Sequence, residues 1–139
     1  MKTTDVLAQE FRNAGLKITP QRLSVFDALH ACDDHPTAEQ VYQQVIQSIP
    51  SVSMRTVYQT LNDLVAMGEL DALRNADEAT RFDLRTDHHH HALCDVCGAV
   101  IDVDAHEINL AGFDIGDAGF RASRADVIIR GRCGSCADE

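Results

Sequence analysis

The stretch Asp87-His88-His89-His90-His91-Ala92-Leu93-Cys94-Asp95-Val96-Cys97, answered by Cys133-Gly134-Ser135-Cys136, concentrates the metal-binding chemistry of this 139-residue chain in two short segments. Two C-x-x-C pairs close a tetrahedral thiolate site readily, because a two-residue spacer lets both sulfurs of a pair face one ion. Cys94, Cys97, Cys133 and Cys136 are therefore expected to hold one structural Zn2+ and to clamp a small C-terminal domain. The neighbouring histidines are surplus to that site. Imidazole nitrogens with Asp oxygens suit a harder, exchangeable divalent ion better than soft thiolates do. At least two of the four histidines are then ligands of a second metal, one ion holding structure and the other sensing.

Other readings of the same residues are weaker. Disulfides or a redox centre also use C-x-x-C spacing, but a reducing cytosol disfavours the first and no βαβ pattern accompanies the second. A tag remnant would sit at a terminus, whereas this histidine run is internal. Cys32 stands apart and reads as a small buried hydrophobe.

Upstream of the run the texture is helical. Leu7, Phe11 and Ala14 recur at helical spacing before Gly15. Thr19 is a plausible N-cap with Pro20 at the first helical position, and Leu23, Phe26 and Leu29 form the next buried stripe. Thr37-Ala38-Glu39-Gln40 reads as a capping box, followed by Val41, Tyr42, Val45, Ile46 and Ile49 on one face and closed by Pro50. Ser53 caps a fourth helix with Met54, Val57, Leu61, Leu64 and Val65 inward and Arg55, Thr56, Gln59 and Thr60 outward, stopped by Gly68. Two helices joined by a short Ser/Pro turn, the second polar near its start, form the helix-turn-helix that enters a DNA major groove. Extended segments 69–74 and 80–84 around Asn75-Ala76-Asp77-Glu78 add a β-hairpin wing. An amphipathic helical core with a solvated face would show the same pattern.

From Ala92 the chain changes to short apolar strands, 99–103 and 126–130, around a middle containing Gly112, Gly116 and Gly119. The expected class is thus α+β: a winged helix-turn-helix domain over residues 1–85, then a small α/β zinc-containing dimerisation domain over residues 86–139. The second domain carries more apolar strand than so short a segment buries alone, which predicts a homodimer. No apolar run approaches a membrane span, and the start of the chain opens directly into a helical pattern, so a soluble cytoplasmic protein without a membrane partner is expected.

A net charge of −10 opposes a nucleic-acid partner at first sight. Distribution decides the matter: most acidic residues follow residue 70, while Lys2, Arg12, Lys17, Arg22 and Arg55 lie in the N-terminal half. A divalent ion among carboxylates would also cancel part of their charge and make the protein less repellent to DNA.

Thr19-Pro20-Gln21-Arg22, His35-Pro36-Thr37-Ala38, Thr56-Val57-Tyr58, Arg81-Phe82-Asp83 and the His/Cys run together resemble the ferric uptake regulator family of metal-dependent repressors, in order and in spacing, over almost the whole chain. Within it the chain looks most like the peroxide-responsive branch, since iron-sensing relatives tend to carry Glu where this chain has Asp83. That resemblance implies a regulatory Fe2+ or Mn2+ site made by His35, Asp83, His89, His91 and Asp102. It also implies a dimer that binds palindromic double-stranded DNA, with peroxide oxidising a ligand imidazole. Arg55, Thr56, Tyr58 and Gln59 are the expected groove contacts, with Lys17 and Arg22 nearby. Two departures stand out. Residues 122–126 offer no imidazole for the family's further metal site, leaving His88 and His90 either as remnants of it or solvated, and residues 105–119 are short for the family's dimerisation helix.

An iron- or zinc-responsive uptake repressor of the same family is the nearest alternative. A zinc deaminase would need an H-x-E motif before P-C-x-x-C and an open coordination position, and neither is present. A metal-storage module would leave the outward face of the fourth helix without a purpose.

Overall fold

Thr3, Thr19, Thr37 and Ser53 each place a side-chain oxygen on a backbone N–H three residues on, and a helix starts after each. The computed structural model describes residues 2–32, 35–74 and 79–137, and the chain divides into two compact units, Met1–Thr86 and Asp87–Glu139.

In the first unit, α1 (Thr4–Asn13) buries Leu7, Ala8 and Phe11 and gives way to Gly15 at φ +79°. Ala14, expected in the stripe, is instead the exposed C-cap, because the helix ends before its next turn. The second helix, α2 (Pro20–Ala31), buries Val25, Phe26, Ala28 and Leu29. The third, α3 (Ala38–Val45), has a complete capping box: Thr37 Oγ1 accepts the Gln40 N–H at 3.2 Å and Gln40 Oε1 accepts the Thr37 N–H at 2.9 Å. It stops a turn sooner than its apolar stripe suggests. The N–H groups of Ser48 and Ile49 both fold back onto the Val45 carbonyl, so Ile46 and Ile49 reach the core from a turn.

The fourth helix, α4 (Met54–Ala66), buries Val57, Leu61 and Leu64 and ends toward Gly68 at φ +77°. Thr60, expected outward, is fully buried. Its hydroxyl donates to the Thr56 carbonyl at 2.8 Å, which satisfies the polar atom and frees the methyl to pack. Phe11 and Phe26 meet edge to face at 4.9 Å in the centre of this core.

Strands β1 (Asp71–Leu73) and β2 (Arg81–Asp83) pair antiparallel, with Asp71 opposite Asp83 and Leu73 opposite Arg81. The expected turn at Asn75-Ala76-Asp77-Glu78 lies outside the described residues. The segment before α3 joins the other side of the wing: Phe82 N–H donates to the Pro36 carbonyl at 2.8 Å, and Thr37 bridges to Arg81. Helices α3 and α4 with this wing make a winged helix-turn-helix.

The second unit is a three-stranded sheet in the order β4-β3-β5, formed by β3 (His89–Cys94), β4 (Val100–Asp104) and β5 (Ile128–Gly131). Strand β3 runs antiparallel to β4 and parallel to β5. A parallel neighbour demands a long crossover, and residues 105–127 supply it. One 3-10 turn, Ala105–Glu107, is the only helical element among its described residues. The buried hydrophobic residues described in this unit are Leu93, Cys94 and Cys136, while Ile101, Phe113, Phe120, Ile128 and Ile129 are exposed. The whole is an α+β fold.

Candidate metal centres and the outward helix face

Cys94 ends β3, and Gly98, at φ +74°, turns the chain back so that Cys94 N–H donates to the Ala99 carbonyl at 2.9 Å. Pairing of Cys94 with Gly131 across β3 and β5 brings the second C-x-x-C turn alongside, and that turn is closed by Cys136 N–H on the Cys133 carbonyl. All four sulfurs lie within 4.8 Å of one another. Cys97 Sγ and Cys133 Sγ are 3.7 Å apart, and a tetrahedral site with Zn–S bonds of about 2.3 Å has edges of about 3.8 Å. No disulfide involves Cys32 or these four residues.

Protonation in the cluster is uneven. Backbone N–H groups of Cys97 and Cys133 draw Cys94 down to about 6, the Cys133 N–H lying 3.3 Å from its sulfur. Hydrogen bonding to Cys133, then burial, pushes Cys136 up to about 12. A divalent cation among the four sulfurs would take the place of thiol protons with one charge at the centre. The donor set fits zinc.

The histidine run behaves as a strand does, with neighbours on opposite faces. On one face His89 Nε2 and His91 Nε2 lie 3.2 and 3.5 Å from the same oxygen of Asp102, which pairs with His91 across β3 and β4. The other ring nitrogen of His89 donates to the Asp87 carbonyl at 2.6 Å, so Nε2 keeps its lone pair for a metal. On the opposite face His90 is buried, and its Nδ1 accepts the Val127 N–H at 3.2 Å. His88 Nε2 donates to the Ala125 carbonyl at 2.9 Å, and the two rings meet edge to face. His90 is therefore neither solvated nor turned toward Asp102. It fastens the segment that leads into β5.

In the first unit His35 Nε2 lies 3.4 Å from Asp83 Oδ2, with 7% and 1% of the respective side chains exposed. Both are oriented from behind. Arg81 donates to the His35 carbonyl at 2.9 Å, and Asp83 Oδ1 accepts the Arg85 N–H at 2.9 Å. This backing by Arg81 and by the Asp87 carbonyl was not read from the sequence, although Arg81 stands inside one of the recognised motifs. An imidazole and a carboxylate in each unit, held by such bonds, are donors of the hard and borderline kind that Fe2+ and Mn2+ accept.

On α4, Arg55, Tyr58 and Gln59 are exposed, and Thr56 is half-buried with its hydroxyl 3.0 Å from Ser53 Oγ. Lys17 is exposed. Arg22 turns inward: it donates to the Lys17 carbonyl at 2.6 Å, approaches Asp63 at 3.6 Å and lies over the Phe11 ring. No helix among the described residues is long and apolar enough to cross a membrane.

A model of the ferric uptake regulator family matches residues 13–130. The peroxide-responsive repressor of Staphylococcus saprophyticus is 32% identical over 131 residues, an overlap covering 92% of this chain and 87% of that protein. Among solved structures, the Helicobacter pylori ferric uptake regulator superposes with a TM-score of 0.78 at 23% identity, covering 97% of this chain and 94% of that one. The Pseudomonas aeruginosa ferric uptake regulator with manganese gives 0.68 at 28% identity, covering 91% and 96%.

Proposed function

The chain belongs to the ferric uptake regulator family and is a metal-responsive repressor rather than an enzyme; from that premise we propose that it senses peroxide. The regulatory ion, Fe2+ or Mn2+, is held by His35, Asp83, His89, His91 and Asp102, and Cys94, Cys97, Cys133 and Cys136 hold the structural Zn2+. The observation that carries the reading is the acid at position 83, an Asp carboxylate 3.4 Å from a buried imidazole in a chain 32% identical to a peroxide-responsive repressor.

Ferrous ion bound there would supply the electrons that cleave peroxide. The protein's part is to hold the oxidisable ring close and still. Arg81 and Arg85 fix His35 and Asp83 from behind, and the Asp87 carbonyl fixes the tautomer of His89. In the net reaction one peroxide oxygen enters an imidazole C–H as C–OH, in its oxo tautomer, and the other leaves as water. The altered ring is a poorer ligand. His35 and Asp83 belong to the DNA-binding residues 1–85 and the remaining ligands to residues 86–139, so one ion would couple the two and its loss would release DNA.

Arg55, Thr56, Tyr58 and Gln59 on α4 read the major groove, supported by Lys17 near the backbone, with Arg22 bracing the segment that carries Lys17. The exposed Ile101, Ile128 and Ile129 support a homodimer, and a two-fold dimer calls for a palindromic operator.

After brief peroxide treatment of the ferrous protein, peptide mass spectrometry should find one added oxygen on His35 or His89, and operator binding should fall in parallel. The manganese form should stay unmodified. An iron form that stays unoxidised and DNA-bound, and follows iron concentration alone, would replace this reading with that of an iron-sensing uptake repressor.

A further inference from the structure

Strand register puts a second carboxylate on the metal-facing side of the sheet. Residues two apart along a strand share a face, so His89 and His91 on β3 stand with Asp102 and Asp104 on β4, Asp102 opposite His91 and Asp104 opposite His89. Directly opposed side chains start from β-carbons about 4.5–5.5 Å apart, within reach of one shared ion. We propose that these four residues form a loading site, complete within the second unit, that takes up the divalent ion before His35 and Asp83 join it. The proposal rests on the regulatory-site reading above; it adds Asp104 to that site and gives its ligands an order.

Three of the four donors already stand as a coordination shell would hold them. The Nε2 atoms of His89 and His91 converge on one oxygen of Asp102, at 3.2 and 3.5 Å, and the two ring centroids are 4.5 Å apart. Metal–ligand bonds of about 2.1 Å set neighbouring donors about 3.0 Å apart at right angles and about 3.4 Å apart at the tetrahedral angle. Two imidazoles and one carboxylate on one side of an ion, with the remaining positions open, form a donor set that suits Fe2+. The Asp87 carbonyl that orients the His89 ring belongs to the same unit. The triad is thus assembled without any donor from the first unit.

Charge assigns the part of Asp104. In the full site Asp83 and Asp102 supply two negative charges to a divalent ion. Before Asp83 arrives, Asp102 supplies one, and neutral imidazoles supply none, so the ion keeps an excess positive charge. Asp104 is the other acid that the three strands carry on that face. It is exposed, and its side chain does not cap the 3-10 turn that it precedes. Its carboxylate stands in for Asp83 during loading and yields to it when the first unit closes. Metal uptake and DNA binding then become separate steps: one unit captures the ion, and DNA affinity appears when the other closes on it.

The test uses the full-length, zinc-loaded protein with Mn2+ as the probe, and bound ion is counted by loss of the six-line electron paramagnetic resonance signal of free Mn2+. The forms compared are the wild type, Asp104→Asn, the double variant His35→Ala with Asp83→Ala, and the triple variant. The double variant should still bind one Mn2+ per chain, more weakly than the wild type, and should not bind a duplex that the manganese-loaded wild type selects from a randomised library. Asp104→Asn should weaken Mn2+ binding about tenfold or more in the double-variant background, and by a smaller factor in the wild type, where Asp83 supplies the second charge. A double variant that binds no Mn2+ would overturn the loading site and leave the five-ligand site standing. Equal losses from Asp104→Asn in the two backgrounds, or none in either, would overturn the role of Asp104 and with it the proposal. A double variant with wild-type Mn2+ affinity and intact DNA binding would instead overturn the five-ligand reading and leave the loading site standing. Zinc content and a melting curve for each variant separate a lost donor from a lost fold.

Discussion

In residues 2–86, sixteen buried apolar side chains interlock beneath four capped helices, whereas the sheet of residues 87–137 has Leu93, Cys94 and Cys136 as its buried hydrophobics and leaves Phe113, at 72%, largely in solvent. A fully buried Leu or Phe contributes roughly 1.5–3 kcal/mol, so the first unit is held by the removal of apolar surface from water. The second cannot be. Small domains that bury too little are stabilised by metals or by association, and four converging sulfurs and exposed apolar strand residues offer the means for both. The contrast teaches that the two halves of one regulator respond to different perturbations.

The largest effect should come from removing zinc. Structural thiolate sites supply folding free energy of order 10–16 kcal/mol in small zinc peptides, so Cys94→Ser should abolish the melting transition of the second unit and the dimer while the first unit still melts cooperatively. Calorimetry with zinc analysis reads this directly. A variant that retains one tightly held zinc per chain and stays dimeric would erase the distinction.

Phe26→Ala is the mirror experiment. It leaves a cavity against Phe11 and should cost the first unit about 3–5 kcal/mol with zinc content unchanged. Loss of zinc in this variant would mean that the two units do not stand on separate supports.

A smaller effect is expected from Ile129→Glu, on the exposed strand β5. Placing a charge in an apolar contact should weaken self-association by roughly 1.5–3 kcal/mol, seen by analytical ultracentrifugation, with zinc retained. An unchanged dimer would move the interface off this face.

The same contrast explains what was legible in the chain. Helix starts were readable because capping is local: Thr19-Pro20, Thr37 with Gln40, and Ser53 each act within one turn. The cysteine cluster was readable because a two-residue spacer fixes chelation at short range. Thr60 was misplaced because its own back-bond, invisible in a polarity pattern, makes a hydroxyl tolerable inside. The early end of α3 was missed because apolar residues continue through the turn at Val45 to Ile49. The proposed regulatory ligands rest on family resemblance, since the grouping of His91 with Asp102 depends on pairing across β3 and β4 that no local rule dictates. The fate of His90 depended likewise on β5 lying parallel beside β3.

Four identical residues carry no phase information, and nothing within 88–91 says which two histidines should face Asp102. A slip of a single residue would present His88 and His90 there and turn His89 and His91 to the other side. The choice is made at the far end of β3, where Leu93 and Cys94 are buried and Cys94 is bound by its N–H to Ala99 and by its sulfur to Cys133. The cysteine knuckle therefore acts as the reading frame of the histidine run. Loosening it would leave every histidine in the chain and let the wrong pair be read.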